Sequence, residues 1–239
     1  KFSTFFENQF YRLNSLNINP NSNLKKIGYL NFKLNKGLTN SLNLNKTIEK
    51  NKYFKIFILD KKSIDKVINK IFLENDMLNK LTDLTGFNYK ISFLIAYETA
   101  SIPDQYKNEQ IYANHWHFDK PYSQNTLKLI MPIEKIGKNS GAMKILNIEN
   151  SKKLNLKNAN LDSTEFEFIG DEKDIFAFYP NLCAHKAGIP KPDFKRKQLM
   201  LQLNPSKKWS YSKSLLNKQF GLEPKFPLKD TFESITLIK

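Results

Sequence analysis

The stretch His115-Trp-His-Phe-Asp119 holds three side chains of metal-binding type, and two of them, His117 and Asp119, form a His-x-Asp pair. Residues two apart on a β-strand project to the same face, so this imidazole and this carboxylate can converge on one point. The chain has only three His, and the one outside this stretch is His185. Two His and one carboxylate form a facial triad, which binds Fe(II) and leaves positions open for a co-substrate and O₂. The sequence therefore predicts a metal site formed by His117, Asp119 and His185.

Arginine is rare in this chain, and one of its two occurrences follows His185. Of the 38 Lys and Arg residues, only Arg12 and Arg196 are Arg. A guanidinium presents a planar fork that binds a carboxylate through two parallel hydrogen bonds, which an ammonium cannot do. We therefore expect Arg196 to bind a carboxylate group. Lys128, on the strand after the His-x-Asp pair, is a second candidate for such a contact, with a solvated lysine as the alternative.

His115 is a competing ligand because it shares strand parity with His117 and Asp119. A cupin-type His-x-His site would require a Glu four or five residues after His117, where this chain has Pro121 and Tyr122. We therefore expect His115 to line the pocket or to form hydrogen bonds, and to be dispensable for metal binding. Tyr97 and Asn114 are weaker candidates for the pocket wall.

Composition narrows the class of protein. With 239 residues and 40% hydrophobic residues, the chain suits one large domain with a substantial core. The apolar runs are too short to cross a bilayer, and the single cysteine, Cys183, fits a reducing compartment, so we expect a cytoplasmic protein. The net charge of +15 is only weak evidence for nucleic-acid binding, because the lysines are scattered along the whole chain and do not form a single cluster.

Hydrophobic periodicity predicts a helical or irregular lead-in over 1–89, a β-rich core over 90–204 and a C-terminal extension over 205–239, all within one domain. In the lead-in we expect an irregular arm before residue 27, a weak helix over 38–50, and one helix that begins at Ser63 and ends near Gly86. The core contains about eight short strands, one of them over 111–118. This pattern predicts a mainly β fold with flanking helices and a double-stranded β-helix, or jelly-roll, core.

The order of these motifs resembles the phytanoyl-CoA dioxygenase-like family of Fe(II)- and 2-oxoglutarate-dependent oxygenases. The resemblance lies in His115-Trp-His-Phe-Asp119, Leu127-Lys-Leu-Ile-Met-Pro-Ile133, Asn139-Ser-Gly-Ala-Met-Lys-Ile145, Gly170-Asp171, and His185-Lys-Ala-Gly188 with Arg196. It covers residues 90–204. The segment Leu146-Asn-Ile-Glu149 departs from the Pro-Gly-Ser-His-like turn that is common in the family, which leaves the substrate class open.

The resemblance implies a jelly-roll core, Fe(II) held by His117, Asp119 and His185, and 2-oxoglutarate bound by the metal and by Arg196. The implied reaction uses O₂ to decarboxylate 2-oxoglutarate to succinate and CO₂ while a small organic substrate is hydroxylated. An Asp at position 119, rather than Gly or Ala, favours hydroxylation or a related oxidation over halogenation. Two alternatives remain open: an oxygenase that acts on nucleic acid, and a jelly-roll protein that binds a ligand without turnover.

Overall fold

Two β-sheets form the framework of the protein in a computed structural model that describes residues 2–13, 23–38, 42–119, 123–154, 165–212, 215 and 234–237. In chain order the strands are β1 (Tyr29–Lys33), β2 (Thr47–Asn51), β3 (Phe54–Phe57), β4 (Asn88–Ala100), β5 (Leu127–Pro132), β6 (Met143–Ile145), β7 (Phe166–Phe168), β8 (Asp174–Phe178), β9 (His185–Lys186), β10 (Lys195–Ser206), β11 (Ser210–Ser212) and β12 (Ser234–Thr236).

The larger sheet has nine strands and the smaller sheet has three. The larger sheet runs in the order β1-β8-β5-β10-β4-β11-β12, with β3 pairing with β4 and β2 with β3. The smaller sheet has the order β7-β6-β9. Apolar side chains of both sheets meet in one buried cluster, which includes Phe176 and Phe178 from the larger sheet and Ile145 and Phe168 from the smaller. The predicted mainly β, jelly-roll fold is therefore confirmed.

Strand β10 lies at the centre of the larger sheet, with β4 on one side and β5 on the other. Because successive side chains alternate between the two faces of a strand, β10 presents two different surfaces. Its residues Leu199, Leu201 and Leu203 belong to the main hydrophobic core together with the helices. Its residues Arg196 and Gln198 face the opposite way, toward the smaller sheet, where they line a cavity.

In the described part of the chain, five short α-helices accompany the sheets. They are α1 (Phe2–Phe10), α2 (Asn23–Ile27), α3 (Lys61–Ile68), α4 (Met77–Thr85) and α5 (Ile148–Lys153). Fully buried residues of α3 and α4, such as Val67 and Leu81, pack in the main core beside the leucines of β10. Among the described residues, no helix is long and apolar enough to cross a lipid bilayer.

The helix expected from Ser63 to Gly86 is in fact three segments, and its first residue differs. Asp60 is the N-cap, and its side chain accepts a hydrogen bond of 2.7 Å from the Ser63 backbone N–H. A π-helix over Asn69–Glu74 follows α3, and the chain then breaks at Asp76, which has a φ of 56°. The prediction of a helix end at Gly86 is confirmed, since Gly86 is the left-handed C-cap of α4.

Two other local predictions are wrong. Instead of a helix over 38–50, the chain forms β2 from residue 47, because it pairs with β3 as a hairpin; residues 39–41 lie outside the described part. Instead of a strand over 111–118, only His117 takes part in a β-bridge. The Asn114 side chain causes this, since it accepts hydrogen bonds from the N–H groups of Ile111 and Tyr112 and thereby bends the backbone.

The N-terminal residues are more ordered than the sequence suggested. Instead of an irregular arm, residues 2–10 form α1, and Leu24 of α2 is fully buried in the main core; residues 14–22 lie outside the described part. Glu7 on α1 is buried and forms side-chain hydrogen bonds with Ser123 and Asn125. Burial outweighs these hydrogen bonds and raises the pKa of Glu7 to about 7.

We expect Glu7→Gln to raise the stability of the protein at pH 8 and to do so less at pH 5. The pKa of Glu7 is about 7 in the folded state and 4.5 in the unfolded state. Protonated Glu7 therefore contributes its full stability below about pH 4.5, and this contribution is lost as the pH rises through about 7 and the buried carboxylate becomes charged. The gain at pH 8 is at most roughly 3 kcal/mol, from 1.36 kcal/mol per pKa unit. Thermal unfolding at both pH values measures it. Glu74→Gln, at an exposed position, is the control, and an equal effect of the two substitutions would contradict the prediction.

Candidate active site

The two triad histidines are brought together by backbone pairing. His117 and His185 form an antiparallel bridge, in which the N–H of His117 donates to the carbonyl of His185 at 3.1 Å and the reverse bond measures 3.0 Å. Two residues on, the N–H of Asp119 donates to the carbonyl of Pro180 at 2.9 Å. His185 itself belongs to β9 and pairs with Ile145 on its other side. The His-x-Asp segment is thus attached along the edge of the smaller sheet.

Hydrogen bonds to backbone carbonyls determine which imidazole nitrogen faces the site. Nδ1 of His117 lies 2.8 Å from the carbonyl oxygen of His115, and Nδ1 of His185 lies 2.9 Å from that of Cys183. A carbonyl oxygen can only accept, so each Nδ1 carries the proton and each Nε2 keeps its lone pair. Such an outer hydrogen bond is the usual way in which a metal-binding His is oriented.

The free Nε2 atoms point toward the carboxylate of Asp119. Oδ1 of Asp119 lies 3.8 Å from Nε2 of His117, and Oδ2 lies 3.8 Å from Nε2 of His185. One ligand atom from each of the three residues lies within 4.8 Å of the others. Two metal–ligand bonds of about 2.1 Å span at most about 4.2 Å, so each His–Asp separation is within reach of one ion. The donor set fits a divalent transition metal.

The protonation states also suit metal binding. Burial lowers the pKa of His185 to about 4, although the Asp119 carboxylate opposes this shift, so the imidazole is neutral near pH 7. Burial by itself would raise the pKa of Asp119, but Lys128 and His185 hold it below its ordinary value. A metal ion requires a neutral imidazole and an ionised carboxylate, and both are present here.

A cavity of about 450 Å³ lies beside the triad, between the two sheets. His117, Asp119 and His185 line it together with Met143 of the smaller sheet. The larger sheet contributes side chains from three of its central strands, namely Tyr97, Thr99, Lys128, Arg196, Gln198 and Met200. This volume is within the range of pockets that bind small molecules.

Arg196 is fully buried in this cavity, and no carboxylate among the described residues is paired with it. Its Nη1 donates to the carbonyl oxygens of Gly141 and, at 3.3 Å, of Gly188. Nε and Nη2 have no hydrogen-bond partner among the described residues. Burial lowers the pKa of Arg196, but a guanidinium remains charged in proteins. A buried cation with two unused donors is costly unless an anion binds, so this geometry suits a ligand carboxylate.

Gly141 and Gly188, whose carbonyl oxygens accept hydrogen bonds from Arg196, each lie very close to neighbouring backbone atoms. Gly141 has a φ of +71°, and a Cβ on it would lie 2.4 Å from the backbone nitrogen of Pro190. A Cβ on Gly188 would lie 2.3 Å from the carbonyl oxygen of Ala142. Side chains at these positions would separate the two loops whose carbonyls hold the guanidinium.

Of the other residues that the sequence suggested for the site, two line the cavity and two do not. Lys128 lies in the cavity, where its ammonium forms an ion pair with Oδ2 of Asp119. His115 is exposed, does not line the cavity, and has its Nε2 3.2 Å from the carbonyl of Glu109. Tyr97 lines the cavity and accepts a hydrogen bond from Gln198, whereas Asn114 does not line it.

Several cavity residues were not found from the sequence. Thr99 lies directly opposite Arg196 in the β4–β10 register, and its buried hydroxyl has no hydrogen-bond partner among the described residues. Phe54 on β3 and Tyr112 in the loop before His117 also line the cavity. Only the strand register and the course of this loop bring them to the site, so no motif in the sequence marks them.

Comparison with known proteins identifies a shared fold among solved structures. No family model matches the chain, and no curated protein matches it in sequence. Among solved structures, the epimerase SnoN in complex with Fe³⁺, alpha ketoglutarate and nogalamycin RO is similar at a TM-score of 0.54 and 13% identity, covering 90% of this chain and 93% of SnoN. HygX from Streptomyces hygroscopicus, with nickel and 2-oxoglutarate bound, is similar at a TM-score of 0.50 and 11% identity, covering 78% and 86%.

A third similar structure is the non-heme monooxygenase ThoJ in a nickel complex, with a TM-score of 0.51 and 11% identity over 76% of this chain and 75% of ThoJ. The chain shares its fold with these three enzymes. At these identities the similarity establishes the shared fold, while the chemistry must be argued from the residues of this chain.

We expect His117→Ala to abolish stoichiometric metal binding and His115→Ala to leave it near wild type. His117 offers a free Nε2 beside Asp119, whereas His115 is exposed and bonded to a backbone carbonyl. Metal content after loading with Fe(II) under anaerobic conditions measures both. Comparable loss of iron in the two variants would show that the ligand assignment is wrong.

Proposed function

We propose that this protein is an Fe(II)- and 2-oxoglutarate-dependent oxygenase of the phytanoyl-CoA dioxygenase-like type, which oxidises a small organic substrate with release of succinate and CO₂. The observation that carries the proposal is one cavity with two features. A His-Asp-His set is oriented for a metal ion, and Arg196, a buried guanidinium with unused donors, is oriented for a carboxylate. A metal and a dicarboxylic keto acid satisfy both features together.

When bound, Fe(II) supplies the redox chemistry that couples decarboxylation of 2-oxoglutarate to oxidation of the substrate. His117 and His185 would hold the ion through Nε2, because their Nδ1–H groups are bonded to backbone carbonyls and leave the Nε2 lone pairs free. Asp119 supplies the one negative charge of the triad. Together the three residues would form a 2-His-1-carboxylate facial triad.

Arg196 binds the carboxylate of 2-oxoglutarate that is distant from the metal. Its Nε and Nη2 form the two parallel bonds, and its Nη1 remains with the carbonyls of Gly141 and Gly188. Thr99, opposite Arg196, supplies a third donor through its unpartnered hydroxyl. Because all these groups are buried, the ligand is recognised away from competing water.

The substrate occupies the rest of the cavity. The lining there includes Phe54, Ile95 and residues 111–113, together with Lys50 and Asn51. These side chains are mostly apolar, which suits a small organic molecule rather than a nucleic acid. Asp119 occupies the position where Gly or Ala would leave room for a halide, so we propose hydroxylation or a related oxidation.

The whole chain acts as one oxygenase domain in this proposal, with the catalytic core over 90–204 between an N-terminal region over 1–89 and an extension over 205–239.

The single cysteine, Cys183, is buried and unpaired, and burial raises its thiol pKa to about 12. An inert thiol of this kind supports a reducing compartment, and we place the protein in the cytoplasm.

Turnover of 2-oxoglutarate tests the proposal directly. The purified protein, loaded with Fe(II) in air-saturated buffer, should form succinate from 2-oxoglutarate, and a metabolite extract that contains the substrate should raise the rate above the uncoupled background. Asp119→Ala should form none. Binding of 2-oxoglutarate without any Fe(II)-dependent succinate would instead indicate a jelly-roll protein that binds a ligand without turnover.

We expect Arg196→Lys to weaken 2-oxoglutarate binding by roughly 30-fold to several-thousand-fold. Loss of part of a buried, doubly hydrogen-bonded ion pair costs about 2–5 kcal/mol, at about 1.4 kcal/mol per tenfold change in affinity. Titration of 2-oxoglutarate into the Mn(II)-loaded protein gives the dissociation constant.

The matched control for this titration is Arg12→Lys, since Arg12 is the other arginine of the chain and does not line the cavity. Its dissociation constant should equal that of wild type. A change of less than about threefold for Arg196→Lys would remove the main support for the assignment of the co-substrate.

A further inference from the structure

Lys128 contacts a proposed metal ligand directly. Its ammonium forms an ion pair with Oδ2 of Asp119, the oxygen that also faces Nε2 of His185 at 3.8 Å. The other oxygen, Oδ1, faces His117. The Lys128 side chain is only 14% exposed and that of Asp119 only 25%. Both charges therefore sit inside the cavity, where water and salt screen them less than at the surface.

The position of Lys128 is set by the sheet and not by a mobile loop. Lys128 lies on β5, opposite Phe178 of β8 on one side and Gln202 of β10 on the other. The ring of Phe178 in turn packs edge-on against the imidazole of His185, with centroids 4.9 Å apart. With β5 paired on both sides, the strand cannot move the ammonium away from the triad, and only rotation of the lysine side chain can do so.

The charges around the cavity are unbalanced. Asp119 is the only carboxylate among the described residues that line it, whereas Lys50, Lys128 and Arg196 all bear positive charge. Arg196 is bonded to glycine carbonyls. A divalent ion bound by the triad must therefore share its one anionic ligand with the ammonium of Lys128. Two like charges in so confined a space repel each other by several times the value in bulk water.

We propose that Lys128 acts as an internal cation that holds Asp119 in the metal-free site, weakens metal binding by competing for that carboxylate, and couples metal binding to the binding of an anionic co-substrate. The inference rests on the proposed function. A 2-oxoglutarate carboxylate beside the metal gives the displaced ammonium a new partner and removes the repulsion. Metal and co-substrate then favour each other's binding, and by linkage the effect is equal in both directions.

Lys128→Met tests the competition, because it keeps much of the length and apolar volume of the side chain and removes the charge. In titrations of the metal-free protein with Mn(II) alone, followed by the EPR signal of free Mn(II), the dissociation constant should fall tenfold or more. Lys128→Arg, which retains the charge, should bind Mn(II) within about threefold of wild type. If Lys128 served only to position Asp119, Lys128→Met would bind Mn(II) more weakly, which would overturn the inference.

Lys186→Met is the matched control for the loss of one positive charge near the triad. Lys186 follows His185 directly, but its ammonium lies over the ring of Trp116, 4.7 Å from the centroid, and it does not line the cavity. This variant should bind Mn(II) within about threefold of wild type. An equal gain in affinity for Lys186→Met and Lys128→Met would mean that general charge, and not the contact with Asp119, sets the affinity, and would overturn the inference.

The coupling is measured by repeating the Mn(II) titrations with saturating 2-oxoglutarate. The ratio of the two dissociation constants, without and with 2-oxoglutarate, should be at least tenfold smaller in Lys128→Met than in wild type, and an unchanged ratio would refute the coupling. Circular dichroism verifies that each variant folds, and Lys128→Gln replaces Lys128→Met if the latter does not. If the wild type itself binds no Mn(II), the proposed function fails; if the wild type binds and Lys128→Met binds no tighter, only this inference fails.

Discussion

The pairing of β10 with strands on both sides is the constraint on which the rest of the structure depends. Because β10 is hydrogen-bonded to β4 and to β5, its side chains from Arg196 to Leu201 alternate between two faces. One face carries leucines into the core beneath the helices, and the other carries Arg196 and Gln198 toward the smaller sheet. A slip of one residue would exchange the two sets and place a guanidinium in the apolar core, which makes the register highly specific.

The cavity lies between this face of the larger sheet and the smaller sheet, and both sheets contribute to its lining. Phe168, Phe176 and Phe178 pack between the sheets, and Phe178 also lines the cavity. The segment before His117 is bent by the hydrogen bonds of the Asn114 side chain, and its residues 111–113 line the cavity as well. Within it the backbone fixes His117 against His185, while carbonyl oxygens orient both rings. The site is therefore largely formed before any ligand binds.

Electrostatics distinguishes the two parts of this cavity. Around the triad, the single carboxylate of Asp119 is shared between two imidazoles and the ammonium of Lys128. Around Arg196 no negative charge is present among the described lining residues, and the carbonyls of Gly141 and Gly188 only partly satisfy the guanidinium. Anions are thus favoured throughout the cavity, and a cation is favoured only at one point, which agrees with a metal ion and an acidic co-substrate bound side by side.

The sequence by itself determined the jelly-roll class, most core strands and the candidate residues of the site, because hydrophobic alternation and the rarity of His and Arg are visible without coordinates. His117, Asp119 and His185 do converge, and Arg196 is buried in the same cavity. Only the tertiary structure decided that His115 is exposed, that Thr99 opposes Arg196 and that Lys128 contacts Asp119. These relations depend on side-chain hydrogen bonds at a bend and on pairing between strands far apart in sequence, which local patterns do not specify.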